Sequence, residues 1–291
     1  MHVLVTGGDG FIGRYLCTEL DERGHNVTAL SRDPDPSVLA KGVGTVSGDV
    51  TDPATLDGTF EGIDAVVNLV ALSPLFVPRG GNEMHERIHL GGTENVVAAA
   101  EAAGVERLVQ VSALGADPEG ATHYIRAKGR AEEVVRESDL EWVIVRPSVV
   151  FGEGGEFVGF TKKLTPPLVA PLPGGGKTRF QPIWVKNLAP ILADCATEDD
   201  RTGETYELGG PEKLTLREIA KLVRGRVAVV PVPMALAGVG LSIGGAIPGF
   251  PMGRDQYRSL RFDNTTSDND VAAFGVDPGE MLTLAAYLGP K

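Results

Sequence analysis

The run Thr6-Gly7-Gly8-Asp9-Gly10-Phe11-Ile12-Gly13 sets the architecture of this 291-residue chain. It follows a short apolar stretch, residues 2–6, that reads as a buried strand, and it opens an amphipathic stretch, residues 11–23, that reads as a helix. The glycines at 7, 10 and 13 have separate mechanical roles: a tight turn, a backbone that an extended ligand can approach, and close packing of helix on strand. With strand, turn and helix in that order, Gly7, Gly10, Phe11, Ile12 and Gly13 form a candidate cradle in which a pyrophosphate meets the helix N-terminus.

Outward from this turn the pattern repeats. Residues 26–30, 44–47, 65–70, 107–111 and 142–145 read as further strands, and residues 84–103 and 123–138 as helices between them. Strands alternating with helices imply an α/β fold with a doubly wound parallel sheet of the Rossmann type, its ligand crevice at the carboxyl ends of the strands. After about residue 151 the rhythm changes to glycine- and proline-rich loops, 152–155 and 165–176, a short strand near 206–208 and helices near 216–223 and 279–288. The expected organisation is a nucleotide-binding domain over residues 1–150 and a smaller substrate or lid region over 151–291, interleaved with it.

The strand ends supply the other candidate contacts. Ser31 and Arg32 close the second strand where an NAD-preferring site usually carries an acidic residue; a hydroxyl and a guanidinium there suit a 2'-phosphate, so NADP(H) is favoured over NAD(H). Asp33 beside them could partly neutralise Arg32. Asp49 and Val50 follow the third strand and would meet the adenine, although Asp49 could equally cap a helix beginning near Pro53. Asn68, Val70 and Ala71 follow the fourth strand and would line the ribose and nicotinamide.

Tyr124 and Lys128 stand four residues apart on one helical face, and Ser112 ends the fifth strand twelve residues before Tyr124. A tyrosine of ordinary pKa about 10 becomes a usable general acid or base when a nearby ammonium stabilises its phenolate. Lys128 would supply that charge and bind the nicotinamide ribose, and Ser112 would orient a substrate carbonyl or hydroxyl. Glu132 and Glu133, farther along the helix, read as a solvated face. The histidines show no metal-ligand spacing, so no metal is expected.

Composition excludes several classes. The chain carries 27 basic and 39 acidic residues, a net charge of -12 that disfavours nucleic-acid binding. The acidity lies in the first half, with 12 basic against 23 acidic residues through position 150 and 15 against 16 after it. Arginine outnumbers lysine 18 to 9 and aspartate reaches 18, the pattern of a halophilic surface. Two distant cysteines, Cys17 and Cys195, suggest a reducing compartment. The first strand begins at once, without a leader pattern, so a cytoplasmic location is expected. Residues 227–253 contain no charge, but four prolines and six glycines break the run, leaving a helix of about a dozen residues near 234–243 that is too short to span a bilayer. It reads as a buried or substrate-covering helix, or as a contact with a membrane surface or partner. Its apolar residues, such as Met234, Leu236 and Met252, would suit an apolar ligand of quinone or isoprenoid type.

Taken together, Thr6–Gly13, Asp49-Val50, Asn68 to Ala71, Ser112, Tyr124, Lys128 and Arg146-Pro147-Ser148-Val149-Val150-Phe151-Gly152 resemble the extended and atypical short-chain dehydrogenase/reductases, the NAD(P)-dependent epimerase/dehydratase superfamily. Val111-Ser112-Ala113-Leu114-Gly115-Ala116, Phe180-Gln181-Pro182-Ile183-Trp184-Val185 and Tyr206-Glu207-Leu208-Gly209-Gly210-Pro211 are similar to the branch containing the nucleotide-binding accessory subunit of respiratory complex I. The resemblance implies bound NAD(P)H, with Pro147 as a further cofactor contact, and three functions: an oxidoreductase using Tyr124, Lys128 and Ser112, a non-catalytic accessory or assembly protein of a respiratory complex, or a nucleotide-sugar epimerase or dehydratase. At the position where extended members usually carry an Asn of the proton relay this chain has His89, expected either to relay protons itself or to pack in the core.

Overall fold

The computed structural model describes residues 1–236 and 252–290. Six strands alternate with helices through the first half: β1 (His2–Thr6), β2 (Asn26–Ser31), β3 (Gly44–Ser47), β4 (Ala65–Asn68), β5 (Arg107–Val111) and β6 (Glu141–Pro147). After them come the short strands β7 (Val150–Phe151), β8 (Leu168–Pro173), β9 (Arg179–Phe180) and β10 (Ile183–Trp184), then β11 (Thr205–Leu208), β12 (Leu214–Thr215) and β13 (Val227–Val232). The central sheet has the order β11-β6-β5-β4-β1-β2-β3, and every neighbouring pair is parallel. Order reverses between β1 and β4, which places the crevice above those strands.

Parallel strands covered on both faces are apolar on both faces. Alternate residues divide accordingly. Val3, Val5, Val67, Val109 and Val143 pack under α1 (Phe11–Glu22) and α5 (Val185–Thr197), on Leu16, Leu20, Leu188 and Ile191. Leu4, Val66, Leu108 and Ile144 face the other way, onto Val96 and Ala100 of α2 (Gly92–Ala103) and Val135 of α3 (His123–Glu137). The result is helix, sheet, helix in three layers.

Beyond residue 150, α5 packs against α1, β11 adds the seventh strand beside β6, and the 3-10 helix Asp270–Phe274 packs on both α5 and β11 through Val271. The remaining C-terminal elements build a smaller layer around Phe151, Phe157 of α4 (Glu156–Leu164), and Ile219 and Val223 of α6 (Leu216–Arg224), a helix opened by a capping box from Thr215 and Glu218. The helix expected at 279–288 is a 3-10 turn, Pro278–Glu280, followed by a shorter helix, Leu284–Leu288. The opening of the uncharged stretch is the strand β13, paired in parallel with β8. The helix expected near 234–243 lies outside the described residues after position 236. No helix among the described residues is long and apolar enough to cross a membrane.

Candidate active site

A cavity of about 700 Å³ runs along the carboxyl ends of β1, β2, β4, β5 and β6. Its first end is the glycine turn, and Gly7, Gly10, Phe11, Ile12 and Gly13 all line it. Gly7 has a φ of +72°, which other residues adopt only under strain, and a Cβ on Gly13 would stand 2.3 Å from the Gly7 carbonyl oxygen. Hydrogen alone fits there. Helix α1 starts at Gly10 with no side-chain cap and no acidic residue in its first turn, so its leading N–H groups are free for an anionic ligand.

Ser31, Arg32, Asp49 and Val50 line the same end. Arg32 is exposed and makes no ion pair among the described residues. The Ser31 hydroxyl donates to Asp9 Oδ2 at 2.9 Å, an oxygen that also accepts the Asp35 N–H. This end therefore presents one cation, Arg32, and two carboxylates, Asp9 and Asp49, among the described residues. Asp49 Oδ1 accepts from the N–H and hydroxyl of Thr51, both at 2.9 Å, so its side chain closes its own turn and the 3-10 helix at Pro53–Thr55 starts after Asp52 instead.

Val70, Ala71 and Pro147 line the middle of the cavity. Asn68 corrects the sequence expectation, because its side chain is turned into the protein. The register aligns Thr6, Asn68 and Gln110 across three adjacent strands. Asn68 accepts from the Thr6 hydroxyl at 2.6 Å and donates to Gln110 Oε1 at 2.9 Å and to Thr93 at 3.3 Å. Both amide hydrogens are taken, and Asn68 does not line the cavity.

Ser112, Tyr124 and Lys128 line the far end. Thr122 caps α3 by accepting from the Ile125 N–H, which sets Tyr124 in the first turn and Lys128 one turn later. Lys128 is buried, donates to the Val111 carbonyl at 2.7 Å, and is pulled down to about 8 by burial, against the opposing charge of Glu132. Burial pushes the Tyr124 phenol up from its ordinary value, so it holds its proton. The Ser112 hydroxyl is buried and has no partner. Glu132 is not on a solvated face: 1% exposed, it accepts from Arg146 at 2.9 and 2.6 Å and from Arg136 at 2.9 Å.

The segment behind Tyr124 departs from a regular helix. Glu86–Gly91 is π-helical before α2 begins, a distortion common at functional sites. His85 and His89 stack there, ring centres 5.4 Å apart, and both meet the Tyr124 ring edge-on, at 5.6 and 5.2 Å. Burial holds His85 down to about 4 and His89 well below its ordinary value, so both rings are neutral. The Leu72 N–H donates to His89 Nε2 at 3.4 Å, which leaves the ring proton on Nδ1.

The walls beyond Tyr124 are apolar, formed by Leu72, Leu75, Phe157, Phe160, Leu164 and Phe262. Over them lies the helix Arg254–Ser259, whose Asp255 accepts from the His123 N–H at 2.8 Å and pairs with its Nδ1 at 2.7 Å. Among the lining residues that sequence reasoning missed are His85, Asp9 and Asp255. His85 was detectable from its spacing of four to His89, whereas Asp9 and Asp255 carry no local signal because their partners are distant in the chain. Among the described residues no cluster could hold a metal ion. The uncapped helix, the glycine turn and the Tyr124–Lys128 end together fit an extended dinucleotide.

The family model described as NAD(P)H-binding matches residues 7–166. The chain is 31% identical over 269 residues to the 2-alkyl-3-oxoalkanoate reductase of Stenotrophomonas maltophilia, covering 81% of this chain and 79% of that protein. It is 30% identical over 291 residues to the mitochondrial NADH dehydrogenase [ubiquinone] 1 alpha subcomplex subunit 9 of Arabidopsis thaliana, covering 91% of this chain and 71% of that one. Among solved structures, a nucleoside-diphosphate-sugar epimerase of Staphylococcus aureus shares the fold, with a TM-score of 0.75 at 17% identity over 99% of both chains.

Proposed function

Because the chain belongs to the NAD(P)H-binding family, we propose that it is an NADPH-preferring oxidoreductase acting on an apolar carbonyl or alcohol substrate. The observation that carries this proposal is the convergence of Ser112, Tyr124 and Lys128 on the cavity that begins at the glycine turn. Gly7, Gly10, Phe11, Ile12 and Gly13 hold the pyrophosphate, Arg32 and Ser31 the adenosine end, and Lys128 the nicotinamide ribose. A bound nicotinamide supplies the hydride. Ser112, its hydroxyl unpartnered, holds the substrate carbonyl oxygen; Tyr124 gives that oxygen its proton; and the Lys128 ammonium stabilises the phenolate left behind. The apolar walls exclude water and receive the rest of the substrate.

The lining residues favour this over a sugar nucleotide. Arg32 and Lys128 are the only lysine or arginine among the described lining residues, and in the far half Lys128 is engaged with the Val111 carbonyl and the ribose, so no further cation there would neutralise a second diphosphate. The Stenotrophomonas relative, a 2-alkyl-3-oxoalkanoate reductase, supports the same substrate chemistry. The test is NADPH oxidation with medium-chain ketones. Tyr124→Phe is expected to lower turnover by roughly 10²- to 10⁴-fold with cofactor binding retained. Wild-type turnover in Tyr124→Phe overturns the mechanism.

A second function, an accessory or assembly protein of a respiratory NADH:quinone oxidoreductase at the membrane periphery, is supported by the Arabidopsis relative and by Leu168, Val169 and Val230, exposed on the β8–β13 ribbon. Co-purification with a respiratory complex from native membranes supports it, and repeated recovery without one counts against it.

A further inference from the structure

Three buried polar atoms at the Tyr124 end of the cavity have no hydrogen-bond partner: His85 Nδ1, His89 Nδ1 and Ser112 Oγ. Each belongs to a residue at most 4% exposed. Buried polar atoms are nearly always paired, so three gathered around Tyr124 mark a place where something else completes them. Ser112 is accounted for by the reacting oxygen of the proposed chemistry. The histidines are not.

Their arrangement is specific. The π-helical turn brings His85 and His89 into a near-parallel stack, with planes 16° apart, and sets both edge-on to the ring of Tyr124. His85 lines the cavity and His89 stands behind it. Because His89 Nε2 is occupied by the Leu72 N–H, His89 Nδ1 is a donor, while His85, being neutral, offers either a donor or an acceptor at Nδ1. Packing alone would be served as well by two aromatic rings without nitrogen.

We propose that His85, backed by His89, is a specificity-determining residue that hydrogen-bonds a second oxygen of the substrate, next to the oxygen handled by Ser112 and Tyr124. The substrate class is an apolar-chain carbonyl compound carrying a neighbouring carbonyl, carboxyl or hydroxyl oxygen, rather than a simple ketone. This deepens the proposed oxidoreductase function and rests on it.

Two probes with the same heptyl arm separate the cases: methyl 3-oxodecanoate, with a second oxygenated group, and decan-3-one, without one. Both are titrated against the full chain loaded with NADP⁺, which carries no hydride to reduce them, and labelled with ¹⁵N-histidine. The expected result is that the oxo ester binds about tenfold more tightly, as one hydrogen bond of roughly 1.4 kcal/mol requires, and that it shifts the His85 Nδ1 resonance while decan-3-one leaves it in place. In His85→Phe the two affinities converge, and in His85→Asn, which keeps a donor and an acceptor, part of the preference returns. Equal affinities in the wild type, an unmoved His85 resonance with the ester bound, or a preference that survives in His85→Phe each overturns the inference. Failure of both probes to bind a chain that binds NADPH overturns it as well and leaves the cofactor assignment standing, whereas failure of NADPH itself to bind removes the proposed function and this inference together.

Discussion

Lowering the pH from 7.5 to 5.5 should destabilise this protein by about 3 kcal/mol through two histidines alone. His85 and His89 are each 1% exposed, and burial without a full countercharge holds the first at about 4 and the second well below 6.5. Lys128 adds to the depression of both, and Asp255 opposes it at His85. In the unfolded chain both rings return to about 6.5. The unfolded state therefore binds more protons than the folded state once the pH falls below that value. The stabilisation is present above pH 6.5 and is lost towards the folded value, at about 1.4 kcal/mol per pH unit for each histidine. Between pH 7.5 and 5.5 each ring costs about 1.4 kcal/mol, and two give about 3, against a total stability of roughly 5–15 kcal/mol for a folded domain. Urea denaturation followed by circular dichroism at both pH values reads this directly. Asp194 and Asp270, carboxyls raised by burial, act in the opposite direction, and the lowered His25 adds a smaller loss of the same sign. The His85→Gln/His89→Gln variant isolates the pair and should lose less than about 1 kcal/mol over the same interval. A wild type as insensitive as that variant, or a variant as sensitive as the wild type, would refute buried neutral histidines at this site.

Other consequences follow from the same geometry. Gly13→Ala places a Cβ 2.3 Å from the Gly7 carbonyl oxygen and 2.6 Å from that of Gly8, both backbone; it should cost about 1–3 kcal/mol in urea denaturation and abolish NADPH binding in a fluorescence titration. Glu132→Gln leaves Arg146 with Glu207, at 3.5 Å, as its one remaining ion-pair partner among the described residues, beside the Ala116 carbonyl at 3.4 Å; a loss of about 3 kcal/mol is expected, the low end for a broken buried pair because Arg146 keeps partial exposure. Lys128, lowered to about 8, is protonated below that pH and neutral above it, so NADPH-dependent turnover should fall as pH rises through about 8. Lys128→Arg, a guanidinium that stays charged, should remove that limb from the pH–rate profile.

The sequence was informative wherever the chemistry is local. The glycine turn, the strands around it and the spacing of Tyr124 and Lys128 are properties of a few consecutive residues, and the parallel sheet follows from their alternation. The motif resemblance also held, since the NAD(P)H-binding family model and the respiratory-complex relative both match. Asn68 misled because a strand end has two faces, and only the register that lines it up with Thr6 and Gln110 shows which one the amide takes. Glu132 misled because its partner Arg146 sits on a strand whose distance from α3 no periodicity reveals. The π-helical turn was hidden for another reason: one extra residue per turn leaves the apolar count of residues 84–103 almost unchanged, yet it decides where His85 and His89 point. Asp255 meets His123 across 132 positions, a pairing that tertiary folding alone creates.

The most direct test of the account is a titration of NADPH and NADH against the wild type and Arg32→Ala. Arg32 is exposed, lines the adenosine end and has no ion-pair partner among the described residues, while Asp9 stands nearby on Ser31. The prediction is tighter binding of NADPH than of NADH by the wild type, with Arg32→Ala losing roughly tenfold in NADPH affinity, about 1.4 kcal/mol for one charge-assisted contact, and little in NADH affinity. Binding of neither nucleotide, or an NADPH affinity unchanged in Arg32→Ala, would contradict it.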